Sequence, residues 1–102
     1  MQRYREDKID RVRELAMLVL QRVHTEGAYA NVALAQTLRD TVLAERDRRF
    51  LTELVYGVTK AGESLDYMIG QYVADLRKAQ PAIRELLRLG FYQIFVMDRV
   101  PP

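Results

Sequence analysis

The 102-residue chain contains no cysteine. This absence excludes a disulfide scaffold, a cysteine-based zinc site and a thiol nucleophile within the chain. It also fits a reducing compartment, and we expect the protein in the cytoplasm. Histidine occurs once, at His24, and a single histidine does not anchor a typical zinc site or a Ser-His-Asp relay. Because it lies near the end of a predicted helix, we interpret His24 as a surface or capping residue.

Long apolar runs and nucleotide-binding motifs are also missing. The longest strictly apolar run, from Leu15 to Leu20, is far shorter than the roughly 20 residues that span a bilayer. Glu6, Asp7 and Asp10 stand among the first basic residues, which is unlike a signal peptide. No G-x-G-x-x-G, P-loop or G-x-S-x-G motif occurs. We therefore predict no catalytic residue, metal site, cofactor or membrane contact in this chain.

The residues that are present indicate one all-helical domain. Hydrophobic residues make up 49% of the chain, enough for the core of a single domain. Apolar residues at i, i+3, i+4 and i+7 predict about five helices, and no segment alternates with the period of a strand. The predicted helices cover about residues 5–24, 30–40 and 44–60, then start near Ser64 and at Pro81. The expected fold class is all-α, a compact helical bundle over residues 1–102.

Particular residues refine this expectation. Gly27 should end the first helix, and Gly62 should separate the third from the fourth, with Ser64 as the N-cap. Pro81 suits the first turn of the fifth helix, where no backbone donor is needed. Gly57, inside the third helix, suggests that another backbone packs very close.

Apolar spacing also predicts which side chains are buried. The core face of the fifth helix is expected to comprise Ile83, Leu86, Leu87, Gly90 and Ile94. Among the aromatic residues, Phe50, Tyr72 and Phe91 are expected in the core, whereas Tyr4 and Tyr29 are expected at the surface.

Basic residues form three groups along the predicted helices. The first group is Arg3, Arg5, Lys8, Arg11 and Arg13; the second is Arg46, Arg48 and Arg49; the third is Arg84 and Arg88. Like charges one turn apart repel unless an acid or an external anion lies between them. Phosphate would serve, because the guanidinium fork matches its oxygens. An ordinary charged surface is the alternative, since acidic residues dilute every group, with Asp7–Arg11 and Asp10–Arg13 at ion-pair spacing.

Three segments together resemble the NusB-like helical domain over about residues 8–101. They are residues 13–34, with Gly-Ala-Tyr-Ala-Asn; residues 46–69, with Leu-Val-Tyr-Gly; and residues 83–101, with Leu-Arg-Leu-Gly-Phe-Tyr-Gln and Asp-Arg-Val-Pro. The Leu-Val-Tyr-Gly and Leu-Arg-Leu-Gly segments are shared across that superfamily. The Gly-Ala-Tyr-Ala-Asn and Asp-Arg-Val-Pro segments are more similar to the version at the front of the bacterial ribosomal-RNA cytosine-5 methyltransferases.

The resemblance implies an RNA-binding domain that helps a downstream catalytic domain dock on small-subunit ribosomal RNA. In that family a Rossmann-like domain binds S-adenosylmethionine, and its cysteines carry the reaction. The implied partners are ribosomal RNA and that C-terminal methyltransferase domain, which this sequence does not contain. In the related antitermination protein the N-terminal basic helix holds RNA. By similarity this favours Arg3, Arg5, Lys8, Arg11 and Arg13.

A protein-interaction module is the alternative, either as a NusB-like antitermination factor or as a packing domain for the catalytic part. The family domain continues with further helices after the Val-Pro segment, whereas this sequence stops at Pro102. We therefore expect a truncated chain with an exposed apolar patch, covered by the missing helices or by a homodimer contact.

Charge reversal of Arg5, Lys8 and Arg11 tests the role of the first helix. Binding to all RNAs should weaken similarly, and the salt dependence of the affinity should flatten, because phosphate contacts carry no sequence information. Salt-dependent RNA binding assays measure both effects. Unchanged affinity would remove the first helix from the RNA-binding surface.

Overall fold

The computed structural model describes residues 2–97, and their side chains from Arg11 to Met97. This part of the chain holds four α-helices, one short 3-10 helix and no strand. The helices are α1 (Gln2–Glu26), α2 (Ala30–Asp40), α3 (Glu45–Gly70) and α4 (Pro81–Phe95), with the 3-10 helix at Leu76–Lys78. The all-α class that the periodicity predicts is confirmed, with four helices in place of about five.

The predicted third and fourth helices form one kinked element, α3. Gly62 departs from helical geometry, with φ 47° and ψ −123°, in a region that favours glycine. The helix resumes directly afterwards. Ser64 therefore lies inside α3, and its predicted role as an N-cap is wrong. The kink at Gly62 separates two helical segments, as the sequence predicts, and Val58 and Leu65 on either side of it are buried in the same core.

Two predicted helix boundaries are confirmed. Gly27 follows the last residue of α1 with φ 76°, and the amide of Ala28 donates to the carbonyl of Arg22 at 3.1 Å. Pro81 is the first residue of α4, where its missing N–H leaves no helical bond unmade.

The core lies where α1, α3 and α4 pack against one another, while α2 packs on α1 and α3. The radius of gyration, 13.6 Å, is close to the roughly 13 Å of a compact domain this long. The buried apolar residues are Val12, Leu15, Ala16, Val19, Leu20, Ala33, Leu34, Leu51, Leu54, Val55, Val58, Leu65, Ile69, Leu89 and Tyr92.

The predicted core face of α4 is wrong. Ile83 and Leu86 are each 46% exposed and Ile94 is 59% exposed. The inward residues are Glu85, Leu89 and Tyr92. Apolar residues occur on both sides of α4, so periodicity could not distinguish the face that the described residues cover from the face that they leave open.

Tyr72 also departs from its prediction as a core residue. It is 69% exposed, although its ring centroid lies 5.6 Å from that of Phe91 and 6.3 Å from that of Phe95. Phe50 and Phe91 are half-buried, and Tyr29 is exposed as predicted. The side chain of Tyr4 lies outside the described residues.

Gly57 allows the close contact between α3 and α4. A Cβ atom at this position would overlap the phenol ring of Tyr92, which is 8% exposed and has little room to move away. The predicted close approach is therefore present, but a side chain rather than a backbone makes it.

Replacement of Gly57 by alanine should destabilise the domain. Forcing a methyl group into a filled site typically costs about 1–3 kcal/mol, and urea unfolding followed by circular dichroism measures the loss. Gly90→Ala is the matched control, because a Cβ there meets no atom within 4 Å. Equal stability of the two variants would show that the Tyr92 ring can move aside at little cost in free energy.

Candidate nucleic-acid interface

The basic group on α1 is only partly described. Arg3, Arg5 and Lys8 lie on α1, but their side chains are outside the described residues. Arg11 is exposed and lies 3.6 Å from Glu14. Arg13 instead turns towards α4, where its Nε donates to Gln93 Oε1 at 3.0 Å. Arg11 is therefore open to solvent, whereas Arg13 contacts another helix of the domain.

The basic group at the start of α3 is mostly outward. Arg46 and Arg49 are exposed. Arg48 is half-buried, and its Nη1 donates to the carbonyl of Leu38 at 2.9 Å. That carbonyl belongs to the last turn of α2, where carbonyls have no helical partner. Arg48 thus closes the end of α2, which leaves Arg46 and Arg49 as the freer cations.

The fold brings Arg11, of the first basic group, close to the start of α3. Arg11 and Asp47 line one depression of about 180 Å³ beside the connection between α2 and α3. Arg11 of α1 therefore lies near Asp47 in the first turn of α3, and Asp47 follows Arg46 in the sequence. We name the three exposed arginines at these two places, Arg11, Arg46 and Arg49, the α1–α3 basic face.

The third basic group lies elsewhere. Arg88 contacts His24 near the end of α1, and His24 is about 20 Å along the helix from Arg11 at 1.5 Å per residue. Arg84 is half-buried, and its Nε is buried without a hydrogen-bond partner among the described residues. Neither residue belongs to the α1–α3 basic face, and whether either contacts RNA stays a prediction.

Arg88 belongs to a part-buried network of charged side chains that the sequence did not predict. Its Nε and Nη2 donate to the two carboxylate oxygens of Asp66 at 2.8 and 2.9 Å, and its Nη1 donates to Glu85 Oε2 at 2.8 Å. His24 Nδ1 lies 3.0 Å from Glu85 Oε1. His24 is therefore part of an interhelical polar network. It is exposed in the last turn of α1, as predicted, but the sequence did not predict its contact with Glu85.

Asp66 and Glu85 supply the negative charge that offsets the repulsion expected between Arg84 and Arg88. Burial alone lowers the pKa of Arg88, but the hydrogen bond to Asp66 and the charges of Glu85 and Asp66 outweigh it and raise that pKa above its ordinary value. Glu85 is 1% exposed. The burial of Glu85 could have been suspected from the sequence, because Glu85 shares one face of the predicted helix with the apolar residues Ala82 and Leu89.

An open groove of about 500 Å³ runs along the outer side of α3. We name it the α3 groove. Its lining includes the apolar or aromatic surfaces of Leu38, Tyr56 and Tyr92, together with the charged side chains of Arg49, Glu53 and Lys60. Arg49 thus joins the α1–α3 basic face to the α3 groove. The sequence predicted Arg49 but gave no prominence to Tyr56 or Lys60.

Tyr92 contributes a protonated hydroxyl to the α3 groove. Burial raises its pKa, and the nearby charge of Glu53 raises it further. A tyrosine ordinarily ionises near pH 10, so this hydroxyl stays neutral and able to donate at physiological pH. It makes no hydrogen bond to another described residue.

Two further features concern other classes of site. Among the described side chains, from Arg11 to Met97, no group of three histidine, aspartate or glutamate residues is placed to hold a metal ion. None of the described helices combines the length and apolar character needed to cross a bilayer.

The fold and its exposed cations define a small all-helical domain with a basic outer face. A family model described as the NusB family matches residues 10–102, and the chain belongs to that family. The resemblance seen in the sequence is thereby confirmed. No solved structure is significantly similar to the chain.

Curated relatives point to one group within the family. The chain is 40% identical over 91 residues to the "Probable ribosomal RNA small subunit methyltransferase B" of Synechocystis sp., covering 87% of this chain and 20% of that protein. It is 33% identical over 90 residues to the protein of the same name from Bacillus subtilis, covering 88% and 20%. The Thermus thermophilus relative is 36% identical over 78 residues, covering 76% and 19%. The chain therefore spans about one fifth of these relatives.

Removal of Arg88 from the network should be costly. Arg88→Met would leave Glu85 buried beside His24 alone, and breaking a buried ion pair by deleting one partner typically costs about 3–5 kcal/mol. The free energy of unfolding in urea measures the loss. Arg77→Met is the matched control, because Arg77 is 90% exposed in its pair with Asp75 and such pairs contribute little. A similar small loss in both variants would contradict a stabilising role for the network.

Proposed function

We propose that this chain is an RNA-binding domain that docks an S-adenosylmethionine-dependent cytosine-5 methyltransferase on small-subunit ribosomal RNA in the cytoplasm. The observation that carries the proposal is the match to the NusB family over residues 10–102, combined with relatives named as small-subunit ribosomal-RNA methyltransferases. Because the chain spans about a fifth of those relatives, S-adenosylmethionine binding and methyl transfer are assigned to the remainder of such a protein.

The α1–α3 basic face is the proposed contact with the RNA backbone. Arg46 and Arg49 are exposed one turn apart on α3, and Arg11 of α1 lines a depression with Asp47, the residue that follows Arg46. Guanidinium groups bind phosphate oxygens in a bidentate manner. Arg3, Arg5 and Lys8 precede Arg11 on α1 and would extend this face towards the N-terminus. Arg88 is a poor candidate, since its side chain is 14% exposed and already paired with Asp66 and Glu85.

A protein-interaction role is supported by a different surface. Ile83, Leu86, Ile94 and Val96 are exposed on or next to α4, and a depression of about 410 Å³ lies between Arg13 and the Leu86–Ile94 side of α4. Exposed apolar side chains of this kind favour a protein contact. We propose that the remainder of a methyltransferase, or a second copy of the domain, packs on these apolar residues. The two roles are compatible, because this surface and the α1–α3 basic face involve different residues.

Charge reversal at α3 tests the RNA-binding role. The double variant Arg46→Glu, Arg49→Glu should weaken binding to a labelled small-subunit ribosomal-RNA hairpin at least tenfold. It should also lower the slope of log affinity against log salt by about 1.4, from roughly 0.7 per phosphate contact on a single strand. Fluorescence anisotropy over a range of salt concentrations measures both quantities.

The matched control carries the same charge change at a distant site. Arg77 and Lys78 are exposed on the 3-10 helix, and their reversal to glutamate should lower the affinity much less. Equal losses of affinity in both double variants would show that RNA responds only to the net charge of the domain, and not to the α1–α3 basic face. An unmodified chain that binds no RNA at low salt would contradict the proposed function and favour the protein-interaction role.

A further inference from the structure

The α3 groove combines an exposed aromatic ring with cations on either side. Tyr56 is 44% exposed and lines the groove together with Arg49 and Lys60. Arg49 precedes Tyr56 by seven residues and Lys60 follows it by four, which places the three side chains on one side of α3. Their backbone positions are about 10 Å and 6 Å from Tyr56 along the helix axis, at 1.5 Å per residue.

The two cations are open to a ligand. Arg49 and Lys60 are both exposed, and neither forms an ion pair or hydrogen bond with another described residue. A phosphate group on either side of a base stacked on Tyr56 would meet one of them. Aromatic side chains between cationic ones are the arrangement by which proteins hold single strands, since the ring stacks on a base and the cations follow the backbone.

The remaining polar groups of the groove suit the edge of a base. Glu53 lies on α3 between Arg49 and Tyr56 and offers carboxylate oxygens that accept hydrogen bonds. A carboxylate pairs well with the exocyclic amino group of a base such as cytosine. The hydroxyl of Tyr92 can donate to a ring nitrogen or carbonyl of the same base. Uracil has no amino group to offer Glu53.

From this arrangement we infer that the α3 groove binds an unpaired RNA nucleotide, with its base stacked on Tyr56, its phosphates at Arg49 and Lys60, and an amino-bearing base preferred through Glu53. The inference rests on the proposed function and adds to it a binding site for one RNA base. Continuity supports RNA over a polypeptide in this groove, because Arg49 belongs both to the groove and to the α1–α3 basic face.

Binding of labelled cytidine and uridine hexamers tests the inference. Tyr56→Ala should weaken binding of the cytidine hexamer by roughly tenfold, the usual effect of losing one stacked base, whereas Tyr56→Phe should retain affinity. Tyr67→Ala is the matched control, because Tyr67 is 76% exposed on α3 beyond the kink and does not line the groove. Glu53→Gln should reduce the preference for cytidine over uridine at least threefold, and thermal melting checks that each variant is folded.

Three outcomes are decisive. Selective loss in Tyr56→Ala, with the preference reduced in Glu53→Gln, supports the inference. If the hexamers bind but Tyr56→Ala and Tyr67→Ala behave alike, the groove does not hold a base; the proposed function stands, and a polypeptide becomes the better occupant. If the unmodified chain binds neither the hexamers nor the ribosomal hairpin, the inference and the proposed function fail together.

Discussion

The carboxylate of Glu85 lies inside the helical domain with 1% of its surface exposed. A buried charge without partners costs several kcal/mol, so α4 can pack only where partners reach it. His24 from α1 and Arg88 from α4 supply them, and Arg88 also binds Asp66 of α3. The relative placement of α1, α3 and α4 therefore depends on one acid at an inward position of α4.

This placement also determines the α3 groove. Tyr92 follows Glu85 by seven residues, about two turns, and lies on the same inward side of α4. The position of α4 that pairs Glu85 with His24 and Arg88 with Asp66 also brings the ring of Tyr92 onto Gly57. Its hydroxyl then lies in the groove near Glu53. The interior polar network and the proposed base-binding site are thus connected through one helix.

The helices and several of their ends could be predicted from apolar spacing and from Gly27 and Pro81, because these signals are local. The buried side of α4 could not, since that helix carries apolar residues all around and its inward side includes an acid. The break in α3 could be predicted as well, because the positive φ at Gly62 is a local preference of glycine. The N-cap at Ser64 could not, since the helix resumes before that residue.

Candidate site residues were predictable as residue types but not in their surroundings. Spacing drew attention to the arginines, whereas only the tertiary structure shows that Arg48 closes α2 and that Arg88 satisfies two acids. Conversely, Tyr56 and Lys60 become candidate site residues only because they line the α3 groove together with Leu38 of α2 and Tyr92 of α4. The predicted exposed apolar surface is present on α4, and its cover stays a prediction.

The most direct measurement is nuclear magnetic resonance of the isotopically labelled chain during titration with a single-stranded ribosomal-RNA segment. We predict that changes in amide and side-chain chemical shifts will concentrate at Arg11 and along α3 from Arg46 to Lys60, with little change at Ile83, Leu86 and Ile94. Changes concentrated on the apolar side of α4, or no changes at a saturating RNA concentration, would contradict the proposed RNA-binding role.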